Sequence, residues 1–285
     1  MDRVLAHPAA FGLQVLRAFR KNQGLLLAGA VAYYALLSIV PLLILVLIGL
    51  SHVVERELLF ETLSLYLGWL FPGQAKAVLV ELENFIEHRQ VLSWVLVVTL
   101  LFFSSLAFTV LENAMSIIFH HRVIQRRRHF LVSAVLPYLY ILFLGAGMLV
   151  VSLVAGGLDA LAQKSIDVLG REISLEGVSG TALYVLGLAG EILIVTSVYL
   201  VMPVGRLVLR HALIGGVVAA LLWEATRHAL VWYYASLSQI GVVYGSLATA
   251  ITVLISLEIG AGLLLLGAQV ISEYERAGRS AESEL

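Results

Sequence analysis

The 29 residues 25–53, LLLAGAVAYYALLSIVPLLILVLIGLSHV, contain no Asp, Glu, Lys or Arg. A helix needs roughly 20 apolar residues to cross a bilayer, so a chain built around this run folds in a membrane. There, every backbone N–H and C=O has to be satisfied inside the protein, which selects helices. At about 1.5 Å per residue the run reaches roughly 43 Å, against a hydrocarbon core of about 30 Å. It must therefore tilt, bend or protrude. Pro41 offers a place to bend, because proline brings no N–H to the carbonyl of Leu37 and crowds it with its ring. Ser38, one turn earlier, is placed to bond a nearby backbone oxygen. Pro41 is read as a kink, and Ser38 and Pro41 as secondary candidates for a broken helix lining a substrate path.

The remaining chain repeats the pattern. Of 285 residues, 60% are hydrophobic and 13% charged, about half the charge of a soluble domain. Five more apolar stretches follow, at 91–119, 130–158, 181–204, 211–234 and 242–270. The expected fold is an all-α, polytopic membrane bundle of six transmembrane helices forming one domain, 1–285. Interfacial amphipathic helices complete it. Before the first span, Pro8 suits a first helical position, and Phe11, Val15 and Phe19 recur every four residues, so 1–24 reads as an amphipathic, cytoplasmic N-terminus. Residues 54–90 read as an external amphipathic hairpin broken at Phe71-Pro72-Gly73, and 272–285 as a polar, frayed cytoplasmic tail.

Charge distribution sets the orientation. Arg3, Arg17, Arg20 and Lys21 precede the first span; Arg122, Arg126, Arg127 and Arg128 follow the second; Arg206 and Arg210 follow the fourth; Arg276 and Arg279 follow the sixth. With six spans these segments share one side, the cytoplasmic one by the positive-inside rule, and both termini are cytoplasmic. The loop HHRVIQRRRH at 120–129 suits anionic lipid headgroups. It lacks the aromatic side chains that stack nucleic-acid bases, and His120, His121 and His129 have no acidic or Cys companion for a metal. A net charge of −1 likewise excludes a general nucleic-acid binder. With no cysteine there is no disulfide or thiol chemistry. The chain has no nucleophile elbow, H-E-x-x-H or Walker loop, so no enzymatic activity, cofactor or metal is expected.

A charged group at mid-membrane costs at least about 2.5–3.5 kcal/mol on insertion scales and marks a partner or a role. Glu191 stands near the middle of the fourth span, Glu224 and Arg227 of the fifth, and Glu258 of the sixth. Glu112, nearer the end of the second, is a secondary candidate. Glu224 precedes Arg227 by three and His228 by four, which puts them on one helical face where the pair can neutralise itself. The sites are read as one polar cavity of Glu191, Glu224, Arg227 and Glu258, with His228 at its edge. Acids held there suit proton coupling. Gly215, Gly216, Ala219 and Ala220, and the pair Gly241 and Gly245, permit close helix contact.

Three strings carry a resemblance: AVAYYALLSIVPLL at 30–43, RHALIGGVVAALLWEATRHALVWYY at 210–234, and VVYGSLATAITVLISLEIGAGLLLLGAQVISEYER at 242–276. By their order and spacing the chain resembles the YihY/BrkB family of bacterial inner-membrane proteins, some formerly labelled ribonuclease BN. The resemblance implies a multi-pass inner-membrane protein of six spans, in a family whose members carry transporter or virulence-factor labels. Glu258 stands where the family is apolar and Gln269 where it is acidic. The ribonuclease label finds no grouped acids or metal ligands to support it. The reading is an inner-membrane transporter of a small solute or lipid-like molecule, coupled to protons. The alternatives are a lipid or lipid-linked flippase, with Arg227 attracting a phosphate, and a non-transporting scaffold of an envelope complex. Expected partners are membrane lipids, the transported molecule and further copies of the chain, and no nucleic acid.

Overall fold

The computed structural model of the chain describes residues 8–50, 94–120, 176–203, 207–236 and 247–282, a ribbon at 166–168 and 171–173, and individual residues between 60 and 83 and between 139 and 147. In chain order the elements are α1 (Pro8–Lys21), α2 (Gly24–Leu50), α3 (Trp94–Ile118), β1 (Ile166–Val168), β2 (Arg171–Ile173), α4 (Glu176–Val201), α5 (Leu209–Ser236) and α6 (Ala248–Glu282). A helical membrane bundle is thus observed. The two short strands, paired antiparallel with Ile166 opposite Ile173 and Val168 opposite Arg171, are a small addition in a polar stretch.

Among the described residues, four helical stretches are long and apolar enough to cross a membrane: Leu101–Ile118, Tyr184–Val201, Leu209–Tyr233 and Ala250–Gly278. A fifth arises if α1 and the first part of α2, bent by 63°, act as one span. These fall on five of the six expected stretches. Of the other, 130–158, Leu139, Tyr140, Phe143 and Gly147 are described and helical; so are Phe60, Glu61, Leu67, Lys76 and Glu83 within 54–90. The expectations for Gly241, Gly245 and the three consecutive arginines 126–128 lie outside the described residues.

The α1–α2 bend has a local cause. Gln23 adopts φ 55°, the left-handed cap that ends a helix, with Asn22 N bonding Ala18 O at 2.9 Å and Gln23 N bonding Arg20 O at 3.1 Å. Gly24 follows, and the Phe19 ring fills the space where a Cβ would stand. Pro41 lies inside the continuous helix α2.

The chain groups into two compact units, one of residues 1–123 with 221–285, the other of residues 124–220. In the first, α2 packs along both α3 and α6. Ser38, 2% exposed, donates to Phe103 O at 2.7 Å and accepts from Ala107 N at 3.1 Å. The backbone oxygen it reaches therefore belongs to another helix, and its hydroxyl sits within one i to i−4 step of α3, the kind of insertion that bends a helix.

On α6, Glu258, Gly262, Leu265, Gln269, Ser272 and Arg276 follow at intervals of four and three residues. Their mean of 3.6, one α-helical turn, keeps them on one stripe. Gly262 faces Ala28 of α2, and Leu265 is fully buried. The stripe continues past Ser272, where a frayed tail was expected. Helix persists to Glu282 because its first polar turn is packed: Ser272 is 0% and Glu273 3% exposed.

In the second unit, the Tyr140 hydroxyl meets Ser197 Oγ at 2.6 Å and donates to Ile194 O at 3.2 Å, tying its segment to α4. Gly215, Gly216, Ala219 and Ala220 are all buried, as their size suggested. A methyl group at Gly216 would collide with the Thr196 hydroxyl and lie 3.2 Å from Ile192 O. Gly216→Ala should therefore cost about 1–3 kcal/mol by overpacking, read as a lowered unfolding midpoint in detergent. Gly187→Ala, into open space on α4, should leave the midpoint unchanged or raise it, since Ala favours helix by about 1 kcal/mol.

Candidate functional site

The α5 charges form the arrangement their spacing implied. Arg227 grips Glu224 with two bonds, Nη2 to Oε1 at 2.7 Å and Nε to Oε2 at 3.1 Å. His228 Nδ1 lies 2.8 Å from Glu224 O and 3.6 Å from Glu224 Oε1. The Arg227 side chain keeps 28% of its surface exposed and that of Glu224 15%. A forked guanidinium matches a carboxylate edge for edge, so this pair carries its charge into the span as a local dipole.

Glu258 stands at the same depth. The Trp223 ring of α5 lies 3.4 Å from where a Cβ on Gly260 of α6 would be. Glu224 is one residue from that contact and Glu258 two, so the acids agree in depth to within about one helical turn. Glu258 is exposed, with Oε1 against Gly29 of α2, 3.6 Å from the would-be Cβ. Eleven residues separate it from Gln269, about 16 Å along the axis and near the middle of a core of about 30 Å. Glu191 is on α4, in the other compact unit, half-buried. Glu112 is half-buried on α3, where its carbonyl accepts Ser116 Oγ at 2.8 Å.

A second polar assembly joins α1, the α1–α2 turn, the end of α3 and α6 at one end of the first unit. Glu273 is 3% exposed and accepts Gln14 Nε2 at 2.9 Å, Gln269 Nε2 at 3.1 Å and Arg276 Nη1 at 3.2 Å. Gln269 Oε1 accepts Asn22 Nδ2 at 2.8 Å. Arg276 Nη2 lies 3.0 Å from His120 Nε2, and His120 Nδ1 3.0 Å from Ile117 O. Arginine only donates, so His120 Nε2 accepts and Nδ1 carries the hydrogen. Ser272 Oγ donates to Ile118 O at 3.1 Å. Ser272 thereby satisfies a carbonyl at the end of α3, and the His120 ring adds a second bond to one that also accepts the His120 backbone N–H at 3.4 Å. Beside this assembly lies a cleft of about 630 Å³ lined by Asn22, Asn113, Ser116, Ile117 and His120. Residue spacing did not suggest this assembly, because Gln14 and Asn22 lie more than 240 positions from their partners. The four-three rhythm of polar residues on α6 was its one visible trace. Among the described residues no three His, Asp or Glu side chains gather as a metal site would require.

Apolar helices that hold paired charges at mid-depth and close one end with a buried hydrogen-bonded assembly define a polytopic integral membrane protein. The chain belongs to the virulence factor BrkB family, whose model matches residues 15–284. It is 31% identical over 277 residues to a UPF0761 membrane protein of Alkalilimnicola ehrlichii, covering 94% of this chain and 59% of that protein. A UPF0761 membrane protein of Azotobacter vinelandii is 26% identical over 274 residues, covering 94% of this chain and 64% of that one. One from Haemophilus influenzae is 24% identical over 273 residues, covering 95% and 97%. The chain spans about three-fifths of the length of the first two relatives. No solved structure matches it.

The α5 pair has a direct test in a double-mutant cycle. Arg227→Met alone, which leaves the Glu224 carboxylate without its fork, should destabilise more than Arg227→Met combined with Glu224→Gln. The coupling should be at least about 1 kcal/mol in detergent unfolding. Strict additivity would mean that the pair contributes nothing to stability.

Proposed function

We propose that the chain carries a small polar solute or lipid-like molecule across the membrane, with the charge level of Glu224, Arg227 and Glu258 as the polar element of the path. The observation that carries this reading is the shared depth of these groups on two adjacent spans, since charge is costly at that depth unless it is paired or used. Glu258 is exposed and against a glycine, an acid suited to coupling protons to the movement. The partial exposure of Arg227 favours a lipid as the second reading, because a headgroup phosphate can compete with Glu224 for the guanidinium. Reconstituted into liposomes, the protein should support solute uptake driven by a proton gradient, or scrambling of labelled lipid. Glu258→Gln should reduce the rate about tenfold or more, equivalent to losing about 1.4 kcal/mol of barrier lowering. Glu83→Gln, at an exposed position between the first two spans, should leave it unchanged. Wild-type rates no greater than those of empty liposomes in both assays would support the scaffold reading instead.

We also infer that the end carrying Asn22, His120 and Arg276 faces the cytoplasm of a bacterial inner membrane. Arg17, Arg20 and Lys21 of α1 and Arg276 of α6 belong to this end, and cytoplasmic connections are rich in Lys and Arg. The chain has no cysteine, so Gly278→Cys, at an exposed position on α6, provides one label site. In intact cells a membrane-impermeant maleimide should leave it unlabelled until the membrane is permeabilised. Labelling of intact cells would place this end outside.

A further inference from the structure

We propose that the cleft at the α1–α2 turn binds the headgroup of a phospholipid whose polar end carries N–H or O–H donors, as an ethanolamine or a glycerol does. The inference concerns binding and does not rest on transport. Glu273 fixes the direction of the hydrogen bonds beside the cleft. A carboxylate only accepts, so the Gln269 bonded to it must present Nε2 to Glu273 and Oε1 to Asn22. Asn22 must in turn present Nδ2 to Gln269. That orientation assigns the amide unambiguously and leaves Asn22 Oδ1 to accept. On the other wall, His120 has both ring nitrogens engaged, with Arg276 and with Ile117 O. Ser116 spends its hydrogen on Glu112 O and retains its lone pairs. Asn113, exposed on α3, adds a carboxamide. The cleft lining thus offers three side-chain oxygens, those of Asn22, Asn113 and Ser116, beside the remaining amide hydrogens of the two asparagines, and none of its side chains is a carboxylate, a lysine or an arginine.

The surroundings match the other parts of a phospholipid. Arg20 and Lys21 are exposed in the last turn of α1, immediately before Asn22. They supply positive charge for a phosphate. Leu25 and Leu26, immediately after it, are 73% and 68% exposed, and Ile117 in the lining is 46% exposed. Basic, polar and apolar surfaces meet within seven residues of chain, at the start of a helix that enters the membrane. A cleft of about 630 Å³ is of a size that takes a small ligand. A donor-bearing headgroup satisfies the acceptors; a choline, whose nitrogen carries only methyl groups, leaves them unmet.

Native mass spectrometry of the full chain released from detergent tests this with phosphatidylethanolamine, phosphatidylglycerol and phosphatidylcholine of identical acyl chains. The first two should be retained about three- to tenfold more than the third, the ratio for one or two hydrogen bonds. Asn113→Ala and Ser116→Ala should each reduce that preference. If Ser116→Ala fails to fold, Asn113→Ala, at an exposed position, decides. Equal retention of phosphatidylcholine, or an unchanged preference in Asn113→Ala, overturns the proposal. Competition by free glycerophosphoethanolamine at the lipid's own concentration would assign the cleft to a soluble phosphoamine and overturn the lipid as its occupant.

Discussion

One buried carboxylate sets the direction of the polar contacts that close the first unit. Glu273 is an acceptor in each of its three bonds, and from that the donor and acceptor ends of Gln269 and then Asn22 follow without choice. Arg276, bonded to the same carboxylate, can only donate and so fixes the tautomer of His120. Three helices and the α1–α2 turn, which share little sequence signal, are held in one register by this propagation. Buried polar groups are costly when half satisfied and specific when fully satisfied. The end of this bundle is therefore more sharply defined than leucine packing alone would make it.

Deeper in the bundle the same demand on hydrogen bonds is met by different means. Between spans there is no water to drive apolar surfaces together, so helices hold each other by close packing and occasional hydrogen bonds. Ser38 answers both needs at once. Its side chain is small enough to let α2 approach α3, and its hydroxyl serves a carbonyl and an amide of α3. Gly216 plays the packing half of that part in the second unit, where it leaves room for Thr196.

Much of the fold was legible in the sequence for a simple physical reason: an uncharged run longer than a bilayer is thick admits few other structures. The Glu224–Arg227 pair was equally legible, because partners three residues apart on a helix meet by geometry. Ser38 was picked out for its hydroxyl, but its partner was not, since the sequence does not reveal which helix lies alongside. The polar end was the least visible. Gln14, Asn22 and Gln269 are uncharged and distant in the chain, and His120 opens a basic stretch that reads as a contact with lipid headgroups. From Ser272 onward the composition is that of an exposed tail, and what holds it helical is Gln14, Ile118 and His120 across the interface.

The stripe on α6 connects the two polar regions. Glu258, Gln269 and Arg276 lie on one face of a single helix, and the glycine and leucine between them pack against α2 or are buried. A stiff rod of this kind does not absorb displacement locally. A shift of one residue along its axis, about 1.5 Å, would alter the contact of Glu258 with Gly29 together with the hydrogen bonds of Gln269 to Asn22 and of Arg276 to His120. The contacts of Asn22 and His120 at one end and of Glu258 further along are thus carried by one helix.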